Sequence, residues 1–151
     1  MSMMQASEAE TIDRVLEYAK RIAVVGLSSD PARPSFDVTS YLVSQGMHIT
    51  PVNPHETEVF GITAVDSLGL VEGDVDVVNV FRRPAAAPEV ARLAVDKGAR
   101  ALWLQPGAES DVAAEIALEA GLDVVNGPCI MVQHKLWSFR QKAAQRHSDE
   151  A

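Results

Sequence analysis

Five short apolar runs, each set apart from the next by a helical stretch or a long crossover, constrain this chain more than any other feature. They are Ile22-Ala23-Val24-Val25, His48 to Val52, Val75 to Phe81, Ala101-Leu102-Trp103-Leu104 and Leu122-Asp123-Val124-Val125. Apolar runs this short, bounded by turn residues and rich in β-branched side chains, are what strands buried on both faces require. Helical spacing fills the intervals. Ile12, Val15, Leu16 and Ala19 predict a first helix from about Thr11 to Lys20, and Val38, Tyr41, Leu42 and Gln45 predict a second. Further helices are expected over Ala87 to Lys97, Asp111 to Ala120 and Met131 to Ala144, with a short one around Ala64 to Leu70. Gly46, Gly98 and Gly121 follow three of them, where a helix commonly ends in a left-handed residue.

Strands alternating with helices of this length pair in parallel through right-handed crossovers. The chain is therefore read as α/β: a Rossmann-like doubly wound parallel sheet of five strands, helices on both faces, with strand order 3-2-1-4-5. In that order the ligand crevice lies at the carboxyl ends of the strands, near the first and the fourth. Residues 1–151 are expected to form a single domain, with 1–10 and 145–151 as flexible ends.

Composition narrows the partners. No stretch approaches the ~20 apolar residues of a membrane span. The segment Met1 to Glu10 is polar and acidic, unlike a signal peptide. One cysteine, Cys129, leaves no internal disulfide, and these features together point to the cytoplasm. The formal net charge of −8 argues against nucleic acid and anionic membranes as partners. A small anionic ligand remains compatible with that charge if one site gathers positive charge or free backbone N–H groups.

The loops that follow the strands answer this condition, because Arg33, Arg82 and Arg83 all fall in them. The first loop runs from Gly26 through Ser28, Ser29 and Arg33 to Ser35. Gly26 lets backbone approach a ligand, the serines offer hydroxyls, and a helix starting near Ser35 or Phe36 would aim N–H groups at a phosphate. The plainer reading is that Ser35 caps the helix and Gly26 turns the chain. The loop lacks both the Gly-x-Gly-x-x-Gly of dinucleotide sites and the Gly-Lys-Ser/Thr of Walker loops. The second strand ends in Pro51-Val52-Asn53-Pro54, without the acid that grips a ribose in NAD proteins. No Cys/His spacing suits a metal, no Gly-x-Ser-x-Gly elbow is present, and His134 reads as a core or interface residue.

Taken in order, Val24-Val25-Gly26-Leu27-Ser28, Arg33-Pro34-Ser35, Pro51-Val52-Asn53-Pro54, Val59-Phe60-Gly61, Val78-Asn79-Val80-Phe81-Arg82, Trp103-Leu104-Gln105-Pro106-Gly107 and Asn126-Gly127-Pro128-Cys129 span the chain from about Arg21 to Cys129. This text resembles the stand-alone CoA-binding proteins related to the CoA-binding domain of succinyl-CoA synthetase and acyl-CoA synthetases. The resemblance implies CoA phosphates on Gly26, Ser28 and Ser29, and adenosine near Asn53, Pro54, Phe81 and Arg82. It implies a pantetheine arm running toward Gln105, Gly107 and Asn126. The related synthetases use a phosphohistidine from a second domain, for which this chain has no room. The stand-alone proteins often carry a charged pair before the cysteine, where Gly127-Pro128 stands here.

The expected function is therefore non-catalytic binding of coenzyme A or an acyl-CoA, with Arg82 or Arg83 on a phosphate. Cys129 is either a small buried apolar residue or a redox-active thiol at a helix N-terminus. Two alternatives stay open: an NAD(P)-binding oxidoreductase or redox-sensor domain, and the CoA-binding subunit of a split acyl-CoA ligase. Leu136, Trp137 and Phe139 on the last helix could serve a homodimer.

Overall fold

In the computed structural model, which describes residues 7–150, the apolar runs become a five-stranded parallel sheet. Its strands are β1 (Arg21–Val25), β2 (His48–Val52), β5 (Val77–Val80), β6 (Ala101–Leu104) and β7 (Asp123–Asn126). Side chains alternate across the sheet. Ala23, Val25, Val78, Val80, Leu102 and Leu104 face one core, shared with α3 (Ala87–Lys97) and α4 (Asp111–Glu119). Ile22, Val24, Val77, Ala101 and Trp103 face the other, shared with α1 (Glu8–Tyr18), α2 (Pro34–Ser44) and α5 (Ile130–Glu150). The two cores explain why the runs show no polar alternation.

The strand order is β2-β1-β5-β6-β7. Counting only the five expected strands, this is 2-1-3-4-5, so the doubly wound fold stands but its third strand is corrected from the far side of the second to a place beside the first. Pro51 supplies the reason. It pairs with Val24 in the β1 ladder but has no N–H for a second neighbour, which makes β2 an edge strand. Beyond one bridge, Val52 to Val65, β2 has no further strand outside it. Val77–Val80 is buried at every position and needs cover on both sides, so it takes the centre. The topological switch now lies between β1 and β5, and the crevice moves with it.

Element ends shift in smaller ways. The first helix begins at Glu8 rather than Thr11, because Ser7 and Glu10 form a reciprocal capping box ahead of it. Three of the residues expected to be flexible, Glu8 to Glu10, are thus helical; residues 1–6 and 151 lie outside the described residues. The last helix continues past Ala144 to Glu150. The long crossover holds a small antiparallel pair, β3 (Glu58–Val59) and β4 (Ile62–Thr63), and only a single 3-10 turn at Leu68–Leu70.

Candidate functional site

At the carboxyl ends of β1 and β5 the chain opens into a cleft of about 410 Å³. Gly26, Ser28 and Arg33 to Ser35 form one wall, Phe81 to Pro84 the second, and Pro106 to Ala108 the third. Three of the chain's 13 Lys and Arg residues line it, and no carboxylate does. In a protein of net charge −8, that is a local reversal of sign, and it favours an anion.

Gly26 shapes the floor. Its φ is +88°, and a Cβ there would stand 2.2 Å from the Phe81 carbonyl oxygen. Only glycine lets the end of β1 come this close to the end of β5. The Gly26 N–H donates to Val52 O at 2.8 Å and the Phe81 N–H to Val25 O at 2.8 Å, so both neighbouring strands hold the turn in place.

The helix behind the first loop starts earlier than expected. Pro34 occupies its first turn, where a missing N–H costs nothing, and Arg33 is the N-cap with no side-chain cap bond. Ser35 is therefore corrected from cap to brace: it is buried inside the helix, and its Oγ accepts the Ser28 N–H at 3.1 Å. By contrast α1 is capped by Ser7 and α4 by Ser110. The uncapped start of α2 borders the cleft through Pro34 and Ser35, where the positive end of its dipole adds to the arginines.

Part of the first loop bonds to itself. Ser28 Oγ accepts the Asp30 N–H at 3.0 Å, and Asp30 Oδ1 accepts the Ala32 N–H at 2.9 Å. Arg33 is exposed and only loosely paired with Asp30, at 3.9 Å, which leaves its guanidinium available.

Arg82 stands where three hollows meet. Besides the main cleft it borders one of about 240 Å³ with Gly26, Asn53, Pro54, His55 and Phe81. It also borders one of about 250 Å³ with Val52, Pro54, Leu68, Val90 and Leu93. The last is mostly apolar and suits a flat ring. Asn53 itself is committed to structure, donating to Leu27 O at 3.0 Å and accepting the His55 N–H at 2.9 Å.

Four expected site residues stand apart from these hollows. Gln105 is 1% exposed, and its Oε1 accepts the Ile130 N–H at 3.0 Å, capping α5. Asn126 accepts the Ser110 N–H at 3.1 Å and lines a separate groove with Arg14 and Asp123. Cys129 is partly buried ahead of α5, packed against the core of Trp103 and Ile130. Ser29 lies at the rim, and both its N–H and its hydroxyl donate to Glu56 Oε2, at 2.8 and 3.0 Å. Those two bonds, the backbone one first, hold the Glu56 carboxyl below its ordinary pKa. Gly107 lines the cleft, but its N–H donates to Glu109 Oε1 at 2.6 Å.

Sequence reasoning missed Ala108 and Glu56. Ala108 carries no chemical signal, and Glu56 reaches the first loop across 27 positions, a contact with no local mark.

A larger hollow, about 500 Å³, lies at the opposite ends of β1 and β2, lined by Arg21, His48, Thr50 and Glu72 among others. Its lining sets Arg21 with a carboxylate, Glu72, and includes no helix start, so it favours an anion less than the cleft does. Among the described residues no His/Cys/Asp/Glu group could hold a metal, and no helix is long and apolar enough to cross a membrane.

Comparison with known proteins adds the family. Residues 20–135 match the family model described as a CoA binding domain. The Bacillus subtilis protein YneT is 41% identical over 132 residues, covering 87% of this chain and 97% of that one. The Methanocaldococcus jannaschii acetate–CoA ligase (ADP-forming) is 22% identical over 129 residues, 80% of this chain but only 18% of the ligase. A solved Pyrococcus horikoshii OT3 protein superposes with a TM-score of 0.82 at 34% identity, covering 85% of this chain and 91% of that one.

Proposed function

This chain belongs to the CoA-binding domain family, and on that premise we propose that it binds coenzyme A or an acyl-CoA without a covalent step of its own. The observation that carries the reading is the cleft at the β1–β5 switch point. Arg33, Arg82, Arg83 and an uncapped helix start converge there, with no carboxylate among its lining residues. A pyrophosphate bridge would lie on Gly26, Ser28 and the first turn of α2, with the arginines as bidentate partners. The adenine would enter the apolar hollow of Val52, Pro54, Leu68 and Val90, beside Arg82. The pantetheine arm would leave along Pro106, Gly107 and Ala108. In this arrangement Gln105 and Asn126 support the loops rather than touch the ligand.

Thermal unfolding with CoA and with NAD at equal concentration tests the proposal. A ligand that binds only the folded state, at a hundred times its Kd, adds about 2.7 kcal/mol. CoA should raise Tm and NAD should not. Equal shifts would return the dinucleotide reading.

Likeness to a ligase favours one second reading, a CoA-binding subunit that needs a partner chain. Co-purification of an ATP-grasp-type protein would support it. YneT, which this chain matches over nearly its whole length, favours the independent module.

A further inference from the structure

We propose that Glu56 is a resident anion: its carboxylate occupies the Ser29 donors in the free protein and is displaced by a phosphate of the incoming ligand. The inference rests on the proposed reading of the cleft as a phosphate site. The contact has the form of an oxyanion holder, because the Ser29 N–H and the Ser29 hydroxyl converge on one oxygen, at 2.8 and 3.0 Å. The neighbouring amides of Ser28, Asp30, Ala32 and Arg33 are satisfied within the loop or by Ser35. Ser29 differs in donating to a charged group from another loop, 27 positions away.

Both sides of the contact adjoin walls of the site. Ser28, next to Ser29, lines the main cleft, and His55, next to Glu56, lines the smaller hollow. A carboxylate oxygen and a phosphate oxygen make the same demand on such donors, so the two compete for them. Displacement moves the Glu56 side chain and leaves its backbone in place: the Glu56 N–H donates to Asn53 O at 3.2 Å and the His55 N–H to Asn53 Oδ1 at 2.9 Å. Asn53 is itself anchored through its bond to Leu27 O. Ligand entry at the first loop thereby removes its side-chain tie to the second.

The test titrates the parent, Glu56→Gln and Glu56→Ala with CoA and, separately, with inorganic pyrophosphate, following the Ser29 amide by NMR. Removing the competitor should tighten binding of both probes about two- to tenfold in Glu56→Ala, the range of an exposed charge-assisted contact, and less in Glu56→Gln. At saturation with either probe, the Ser29 amide signal of the parent should coincide with that of the ligand-bound Glu56→Ala protein. CoA binding that is unchanged or weaker in both variants would make Glu56 a simple loop tie and leave the CoA reading standing. Pyrophosphate that tightens while CoA binds none of the three proteins would keep the resident anion and reject CoA as the ligand. Failure of both probes on all three proteins would reject both ideas.

Discussion

Replacing Gly26 by alanine should be among the more damaging single-methyl additions in this protein, and Gly98→Ala isolates the reason. Both glycines have a left-handed φ, +88° and +79°. An L-residue pays about 1–2 kcal/mol there, and the reduced freedom of the unfolded chain returns roughly 0.4–1 of it. Gly98, with nothing within 4 Å of its would-be Cβ, should therefore cost ~1 kcal/mol as alanine. At Gly26 the new methyl would stand 2.2 Å from Phe81 O and 3.1 Å from Arg82 Cδ. Ordinary carbon–oxygen contacts are no closer than about 3.3 Å, so β1 and β5 must part by about an ångström. That strains the Gly26-to-Val52 and Phe81-to-Val25 bonds, and such overpacking adds about 1–3 kcal/mol. The sum for Gly26→Ala is about 2–4 kcal/mol, or roughly 5–15 °C in Tm at this chain length. Urea unfolding of both variants reads the difference, with m expected to stay constant. Losses that agree within about 0.5 kcal/mol would show that the close approach to Phe81 carries no energy, and the account of the cleft floor would fail.

Arg82→Ala should weaken CoA binding by about 1.5–3 kcal/mol, the value of a charge-assisted contact, and leave the urea midpoint nearly unchanged because the side chain is exposed. Calorimetry with CoA and dephospho-CoA locates the contact: an equal loss for both would remove the 3′-phosphate from Arg82. Gln105→Leu should destabilise the protein by about 1–3 kcal/mol, because it orphans the buried Ile130 N–H, and its CoA affinity should hold. Asp123→Asn should flatten the acid limb of the stability curve. Burial pushes the Asp123 carboxyl up, but hydrogen bonds from Arg14 and Tyr18, together with the Arg14 charge, outweigh it and hold the group below its ordinary pKa. A depressed carboxylate contributes stability above its unfolded pKa, about 3.9, and loses it as the pH falls through the folded value. The gap between parent and variant should therefore be constant above about pH 5 and close below about pH 4. A gap that persists at low pH would assign the effect to packing.

The architecture was legible because burial on both faces leaves a mark that no other element shares. Val77–Val80 and Ala101–Leu104 are each buried throughout; the second reads as an unbroken apolar run and the first as one interrupted only by Asn79. The strand order was misread: 3-2-1-4-5 was expected, and the one mark against it, the missing N–H of Pro51 that suits β2 to an edge, was not used. Ser7 and Glu10 likewise announce the start of α1. The β3–β4 pair left no such mark. Two-residue strands have no period, and their turn depends on Phe60 holding a φ of +56° while its ring packs 4.6 Å from Phe36. That geometry is imposed by tertiary packing.

At the site, charge carried further than polarity. Arg33, Arg82 and Arg83 were expected at the crevice and all three line it, because a guanidinium at a strand end in an apolar fold finds few internal acceptors. Neutral side chains have two uses, and sequence does not separate them. Gln105, Asn53 and Asn126 stand at the carboxyl ends of other strands of the same sheet, yet each of their hydrogen bonds satisfies a backbone group or a neighbouring side chain of the fold. A buried loop must find partners for its own N–H and C=O groups, and the nearest amide side chain is the cheapest source. An amide one residue past a buried strand is therefore claimed by the scaffold before a ligand arrives. Arg82, one residue past Phe81 and exposed at the meeting of three hollows, is not claimed, and on that difference the assignment of the phosphate site depends.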